Sequence, residues 1–428
     1  MALQLNRKTN QENVKHSAQI QEIRNMHTEL KLCGEPRNAL LHLPSDLLIY
    51  ISSLLRGESP RLPKVSTNQW SDFLSHLIPH GILPLLYWQI CSMPPESRPP
   101  EEIIFTMRKS FLLNSMSYLK MKRQLGEILR PFQSEGVRAL VLKGPALFWT
   151  IYPDPAMRPS CDLDLLVLPD QIAQARAILV RLGYKCLGKR FEHCKDFYCE
   201  ETFIPQENSR NNRPVELHWD LHSFSGISRN ERLEDLFLRT VRVKLSDLSF
   251  EALHPVDALI HRAFNMALSH NRDIRLIWIY DVALLARHLT VPDDWEVLQE
   301  RSVAWRARLA LENSLKMAQV WVGLKLPDRF SEFSSWPRPT ETEVTAWSDA
   351  ILRHDRIASF FRLHWSNSSK PLEKIQFLFH LLFPDPKIIR IRSPLPHKWL
   401  LPLSYVRRWH KWLRQYLFNG NNSLKQQE

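Results

Sequence analysis

The stretch "LVLKGPALFWTIYPDPAMRPSCDLDLLVLP", residues 140–169, decides how the chain is read. It holds parts of two short apolar runs, rich in Val and Leu and bounded by Gly and Pro, which is the composition of strands. The first run, 137–142, leads into Lys143 and Gly144; the second, 162–168, carries Asp162 and Asp164 among its apolar residues. Between them "GPALFWTIY" has room for a short helix starting at Pro145, where proline is tolerated at the first helical position. In a strand, residues i and i+2 share a side about 6.7 Å apart, so Asp162 and Asp164 present their carboxylates together while Leu163 and Leu165 take the other face. Carboxylates that close repel unless a cation lies between them or one is protonated. A divalent ion resolves the conflict, and one or two carboxylates plus substrate phosphates are the usual setting of Mg2+. The plainer alternative places one aspartate in solvent at the strand start and the other on an exposed edge.

A third acid lies downstream in "PVELHWDLH", residues 214–222. Alternation sends Val215, Leu217, Trp219 and Leu221 to one face and Glu216, His218, Asp220 and His222 to the other. Glu216 is the candidate third carboxylate. Acids on adjacent strands can hold the metal pair that clamps the attacking and leaving oxygens of a phosphoryl or nucleotidyl transfer. This segment and "KDFYCEETFIP" alternate and are separated by the polar "QENSRNNR", which predicts an antiparallel pair.

Outward from this unit the periodicity is helical. Residues 43–90 carry apolar positions at helical intervals, and 101–130 predict one long amphipathic helix through Ile104, Met107, Phe111, Ser115, Leu119, Leu125 and Leu129. "PDQIAQARAILVRLGY" (169–184) reads as a helix closed by Gly183, and everything from about Arg232 onward reads as helical again. The expected fold is α+β: a small mixed sheet embedded in a mostly helical protein. The expected organisation is a polar tail over 1–35, a helical region over 36–130, the α/β core over 131–230, a helical region over 231–333 and a helical region over 334–428 with a basic, aromatic-rich end.

The 428 residues allow a sizeable core, and no apolar run reaches the ~18 residues of a spanning helix. The polar N-terminus lacks the apolar core of a secretory signal, so a cytoplasmic location is expected. The six cysteines form no C-x-x-C pair, which argues for reduced thiols; Cys186, Cys194 and Cys199 with His193 match no standard zinc spacing. A net charge of +12 biases the surface toward phosphate-bearing partners, and much of it falls in "KIIRIRSPLPHKWLLPLSYVRRWHKWLRQYL". That segment is read as a docked helix with a charged outer face, contact with an anionic surface or a nucleic acid being the alternative. "GYKCLGKR" (183–190) imitates a phosphate-binding loop but has Arg190 where Ser or Thr must stand, and follows a helix rather than a strand.

The residues that carry chemistry resemble the polymerase-beta-like nucleotidyltransferase superfamily, in which a strand, a Gly-containing turn, a helix and a D-h-D strand are followed by a third acid. More closely they resemble its uncharacterised bacterial branch, through "LKG" (142–144), Tyr152-Pro153, Arg158 four residues before the first Asp, "DLDLLV" (162–167), "ELHW" (216–219), and flanking matches at 80–87 and 259–287. The resemblance spans about residues 40–290. It implies an ATP- or other NTP-binding transferase in which Asp162 and Asp164 bind Mg2+ (or Mn2+) and the triphosphate, and Glu216 completes the metal site and helps deprotonate the acceptor. Pyrophosphate would leave, and the acceptor, whether small molecule, peptide, protein or RNA, is not named by any residue. The superfamily usually has Gly-Ser in the turn, whereas Lys143-Gly144 stands here, so Lys143 either contacts phosphate or packs its stem along the helix. Arg158 either clamps phosphate or forms a salt bridge holding the D-x-D strand. His218 either supports a ligand carboxylate or is structural; His261 and His270 are read as structural, with a pocket role open. The competing classes are a catalytically idle module of the same fold that binds a nucleotide or partner, and a basic nucleic-acid-binding protein.

Overall fold

The computed structural model describes residues 44–187, 199–206, 212–221, 233–269, 274–341, 343–344 and 401–410, with isolated positions between 375 and 386. The expected polar tail, residues 387–400 and 411–417 of the basic C-terminal segment, and His193, Cys194, His222 and His270 lie outside the described residues; residues 401–410 of that segment are helical, as expected.

Among the described residues, α1 (Ser45–Leu55), α2 (Thr67–Leu77) and α3 (Leu83–Cys91) precede the long α4 (Glu101–Ser134). Helix α2 starts with a capping box, Ser66 and Gln69 each accepting from the other's backbone N–H. Helix α4 departs from its expected stripe. Met107, Leu125 and Leu129 are buried as the periodicity requires, yet Leu119 is 56% exposed and Met121 is buried instead. The reason is a change of partner along the helix: its first half packs Phe111 on Tyr87 and Trp88 of α3, while Leu125, Ile128, Leu129 and Phe132 turn onto the sheet.

Among the described residues the sheet has seven strands: β1 (Ala139–Val141), β2 (Leu163–Val167), β3 (Tyr184–Cys186), β4 (Glu200–Pro205), β5 (Val215–His218), β6 (Thr240–Lys244) and β7 (Ser249–Leu253), in the order β3-β4-β5-β2-β1-β7-β6. It is mixed. β2 runs antiparallel to β1 and parallel to β5, and β5 is antiparallel to β4 as the alternation predicts. Helix α5 (Lys143–Thr150) joins β1 to β2, and α6 (Ile172–Arg181) follows β2 and ends before Gly183, whose φ of 86° is the left-handed turn that glycine allows.

The β6/β7 hairpin corrects the helical reading of everything beyond Arg232. "TVRVK" and "SFEAL" alternate over only five residues each, too few to stand out between longer helical patterns, and their strand character is fixed by pairing of β7 parallel to β1. After α7 (Leu233–Leu238) and this hairpin, α8 (Pro255–Phe264), α9 (Leu276–His288), α10 (Pro292–Ala304) and α11 (Arg308–Val322) complete the body.

Pleating divides β2 between two cores. Leu163, Leu165 and Val167 pack with α4 and α6, whereas Leu166 joins the larger core formed with the helical body. Asp164 alternates onto the helical side with Leu166, and is fully buried there.

Candidate active site

The site is assembled by backbone pairing before any side chain acts. Leu142, just past β1, donates its N–H to the Asp164 carbonyl at 3.0 Å, which fixes the strand-to-helix turn beside the acidic strand. The next residue, Lys143, has φ 50°, a left-handed conformation that non-glycine residues adopt rarely and that tends to occur where function requires strain. Gly144 follows because no side chain fits: a Cβ there would lie 2.5 Å from Arg158 Nη1 and 2.6 Å from Ser160 Oγ. On the other flank Gln124 of α4 bonds both the N–H and the carbonyl of Arg213, at 2.9 and 2.8 Å, and so anchors the entry to β5.

Strand register then sets Asp164 directly opposite Glu216, and His218 opposite Glu200 of β4. Lys143 Nζ donates to Asp164 Oδ1 at 2.6 Å and to Glu216 Oε2 at 3.4 Å. His218 Nε2 lies 3.0 Å from the same Asp164 oxygen and 3.7 Å from Glu216, and its Nδ1 lies 3.4 Å from Glu200. Lys143 and His218 therefore stand against three carboxylates, those of Asp164, Glu216 and Glu200.

The electrostatics follow from that count. Burial and the Lys143 charge favour a neutral His218 ring, but hydrogen bonds with Asp164, Cys199 and Glu216 outweigh them and hold its pKa well above the usual histidine value. Burial alone would lift Glu216, yet its bond with His218 and the Lys143 charge bring its carboxyl below the usual range. For Lys143, burial is opposed by Asp164, Glu216 and Glu200, and the net result is a raised pKa.

Asp162 stands apart from this cluster. Strand pairing starts only at Leu163, whose N–H bonds to the Pro214 carbonyl, and Asp162 sits in the bend before it with Ser160 Oγ 3.4 Å from its carboxylate. Its carboxyl is pushed up by burial and by the Asp164 charge, with Lys143 and Arg158 pulling the other way. Among the described residues two sets of possible ligand atoms lie within 4.8 Å of one another, Asp164 with Glu216 and His218, and Cys199 with Glu200 and the same His218. Carboxylate oxygens suit a hard cation, and Asp164 Oδ2 is buried without a hydrogen-bond partner among the described residues, so the Asp164 and Glu216 carboxylates fit a divalent ion.

Arg158 is buried, and the contacts it makes are those of an ion pair. Its Nη2 and Nε reach Asp281 of α9 at 2.9 and 3.3 Å, and Nη1 donates to the Pro159 carbonyl. Tyr152 donates its hydroxyl to Asp281 at 2.7 Å, and Arg262 of α8 approaches the same carboxylate at 3.3 Å. Asp281, which sequence reasoning did not single out, is thus the anchor that ties the segment before β2 to the helical body. Its signal was a lone acid inside the apolar "RLIWIYDVALLA". His261 is buried on α8 and lines a cavity beside Lys143. Asp220 lies beyond the end of β5 and accepts from the Leu221 N–H.

A family model described as "Uncharacterised nucleotidyltransferase" matches residues 66–323, which takes in every element from α2 to α11. No curated protein matches the chain. Among the described residues, no helix is long and apolar enough to cross a membrane.

Proposed function

Because the chain belongs to the uncharacterised nucleotidyltransferase family, we propose that it is a divalent-metal-dependent enzyme moving a nucleoside monophosphate from an NTP to an acceptor, with release of pyrophosphate. The observation that carries this reading is the register pairing of Asp164 with Glu216 beside Lys143, which the strand-to-helix turn delivers to both. Asp164 and Glu216 would hold the ion, which would supply positive charge at the phosphates and orient them.

The chain's own groups divide the remaining work. Lys143 and the first turn of α5 face the polyphosphate, where a fixed cation and unpaired backbone N–H groups favour negative charge. His218 keeps the Asp164 carboxylate oriented. Glu216, with 24% of its side chain exposed against 1% for Asp164, is the member of the pair an incoming acceptor reaches. An acceptor oxygen forms a bond to the α-phosphorus, the bond from that phosphorus to the bridging oxygen breaks, and the electron pair leaves on pyrophosphate. A hydroxyl acceptor gives its proton to Glu216.

The test is transfer of label from α-³²P NTPs with Mg2+ or Mn2+ to cell extract, by wild type and by Asp164→Asn. Label transferred by wild type alone supports the reading. Nucleotide binding without transfer in any extract supports an idle module instead.

A further inference from the structure

Lys143 has two neighbourhoods. One is the carboxylate cluster; the other is a cavity of about 330 Å³ enclosed by α5, α8, the end of α9 and the β6/β7 hairpin. That size falls in the range of small-molecule sites and is far too small for a folded partner. Much of its wall is aliphatic, with Leu147, Val243, Leu253 and Leu285 among the residues facing it. Its ionisable lining is Lys143, Arg242, His261, Arg262 and His288, and no Asp or Glu lines it.

Two further observations point to a ligand, and the first of them to one that is negatively charged. Arg262 is 5% exposed and shares the single Asp281 carboxylate with Arg158, so two buried guanidinium groups face one acid. Its Nε is buried with no hydrogen-bond partner among the described residues. Uncompensated buried charge is costly, and an anion in the cavity supplies the missing countercharge. Burial accordingly lowers the Arg262 pKa, Asp281 opposes that fall and Arg158 adds to it. The second observation is that α8 widens into a π-turn at Asn265–Ser269 where Asn265 meets the cavity, a deformation frequent at functional sites.

We propose that this cavity seats the acceptor, and that the acceptor is a small amphipathic anion whose apolar body lies on the aliphatic wall and whose carboxylate or phosphate faces Arg262. The acceptor role rests on the nucleotidyl-transfer reading above; the binding chemistry stands without it.

The probe is 8-anilinonaphthalene-1-sulfonate, titrated into the full chain by fluorescence with no NTP present. Octanoate and octyl phosphate should displace it, octylamine should not, and Mg-ATP should leave it bound. Two variants keep the outcome independent of folding defects at Arg262: Ala258→Phe fills the cavity without removing a charge, and His288→Glu places an acid at its exposed rim. Each should weaken octanoate binding about tenfold or more with an unchanged thermal midpoint. Displacement by octylamine as readily as by octanoate, or wild-type affinity in both variants, overturns the proposal. Displacement by Mg-ATP assigns the cavity to the nucleotide and also overturns it. Octanoate binding without any nucleotidyl transfer sinks the enzyme reading and leaves the binding site standing. Transfer undiminished in Ala258→Phe sinks the acceptor role.

Discussion

Lys143 Nζ lies 2.6 Å from Asp164 Oδ1, and Glu216 Oε2 lies 3.4 Å from the same ammonium. Lys143 therefore bridges two acids that face each other across paired strands, with His218 beside the same pair. Lys143→Met should lower turnover about 100-fold, the scale seen when one fixed charge-stabilising group is lost. It should also enlarge the thermal stabilisation produced by added Mg2+, because the metal then replaces the missing cation. Differential scanning fluorimetry with and without Mg2+ checks the second effect independently of activity, and an unchanged Mg2+ response would contradict it.

Gly144 leaves no room for a methyl group. Gly144→Ala should destabilise the fold by about 1–3 kcal/mol, as overpacking does, by driving Cβ against Arg158 and Ser160. Adding Ser160→Ala should recover part of the loss, because one of the two clashes is then removed. Urea unfolding of the single and double variants reads both numbers.

Asp281 is the only acid that the described contacts place against both Arg158 and Arg262. Asp281→Asn leaves two buried guanidinium groups without a countercharge and should cost about 3–5 kcal/mol. Denaturant unfolding tests this. A loss under 1 kcal/mol, about the worth of a surface pair, would show that the arginines have other support.

Glu343 supplies a pH dependence far from the carboxylate cluster. Its carboxylate accepts from the Leu309 N–H at the start of α11, but burial raises its pKa from 4.5 to about 7 against the opposing pull of that bond and of Arg308. An acid whose folded pKa is raised binds its proton more tightly in the folded state. Its contribution to stability is therefore present below about pH 4.5 and is lost as pH rises to about 7. Glu343→Gln keeps an acceptor for Leu309 and removes the ionisation. Its stability relative to wild type should climb across that window by on the order of 2 kcal/mol and then level off, as measured by unfolding at several pH values. A difference that is flat with pH would contradict the assignment.

The acidic strand and its neighbours were legible because their signals are local. Period-two alternation puts Asp164 and Glu216 on identifiable faces, and a Lys-Gly turn between an apolar run and a helix marks the approach of backbone to that strand. What escaped was set by tertiary pairing. Asp162 falls outside the strand because pairing with the residue before Val215 begins at Leu163, which i, i+2 spacing alone does not reveal. The β6/β7 hairpin takes its identity from β1, more than 100 residues earlier in the chain. Leu119 left its expected stripe because α4 changes partners midway. Asp281 is the converse case: its identity was plain in the sequence, but only the folded chain shows that Tyr152, Arg158 and Arg262 converge on it.

The most direct measurement is pyrophosphate release coupled to transfer of α-³²P label in cell extract, comparing wild type with Asp164→Asn and Glu216→Gln, each confirmed folded by circular dichroism. The account predicts Mg2+-dependent release and labelling by wild type, and loss of both in each variant. Label and pyrophosphate produced at the wild-type rate by either folded variant would contradict the assignment of these two carboxylates to the reaction.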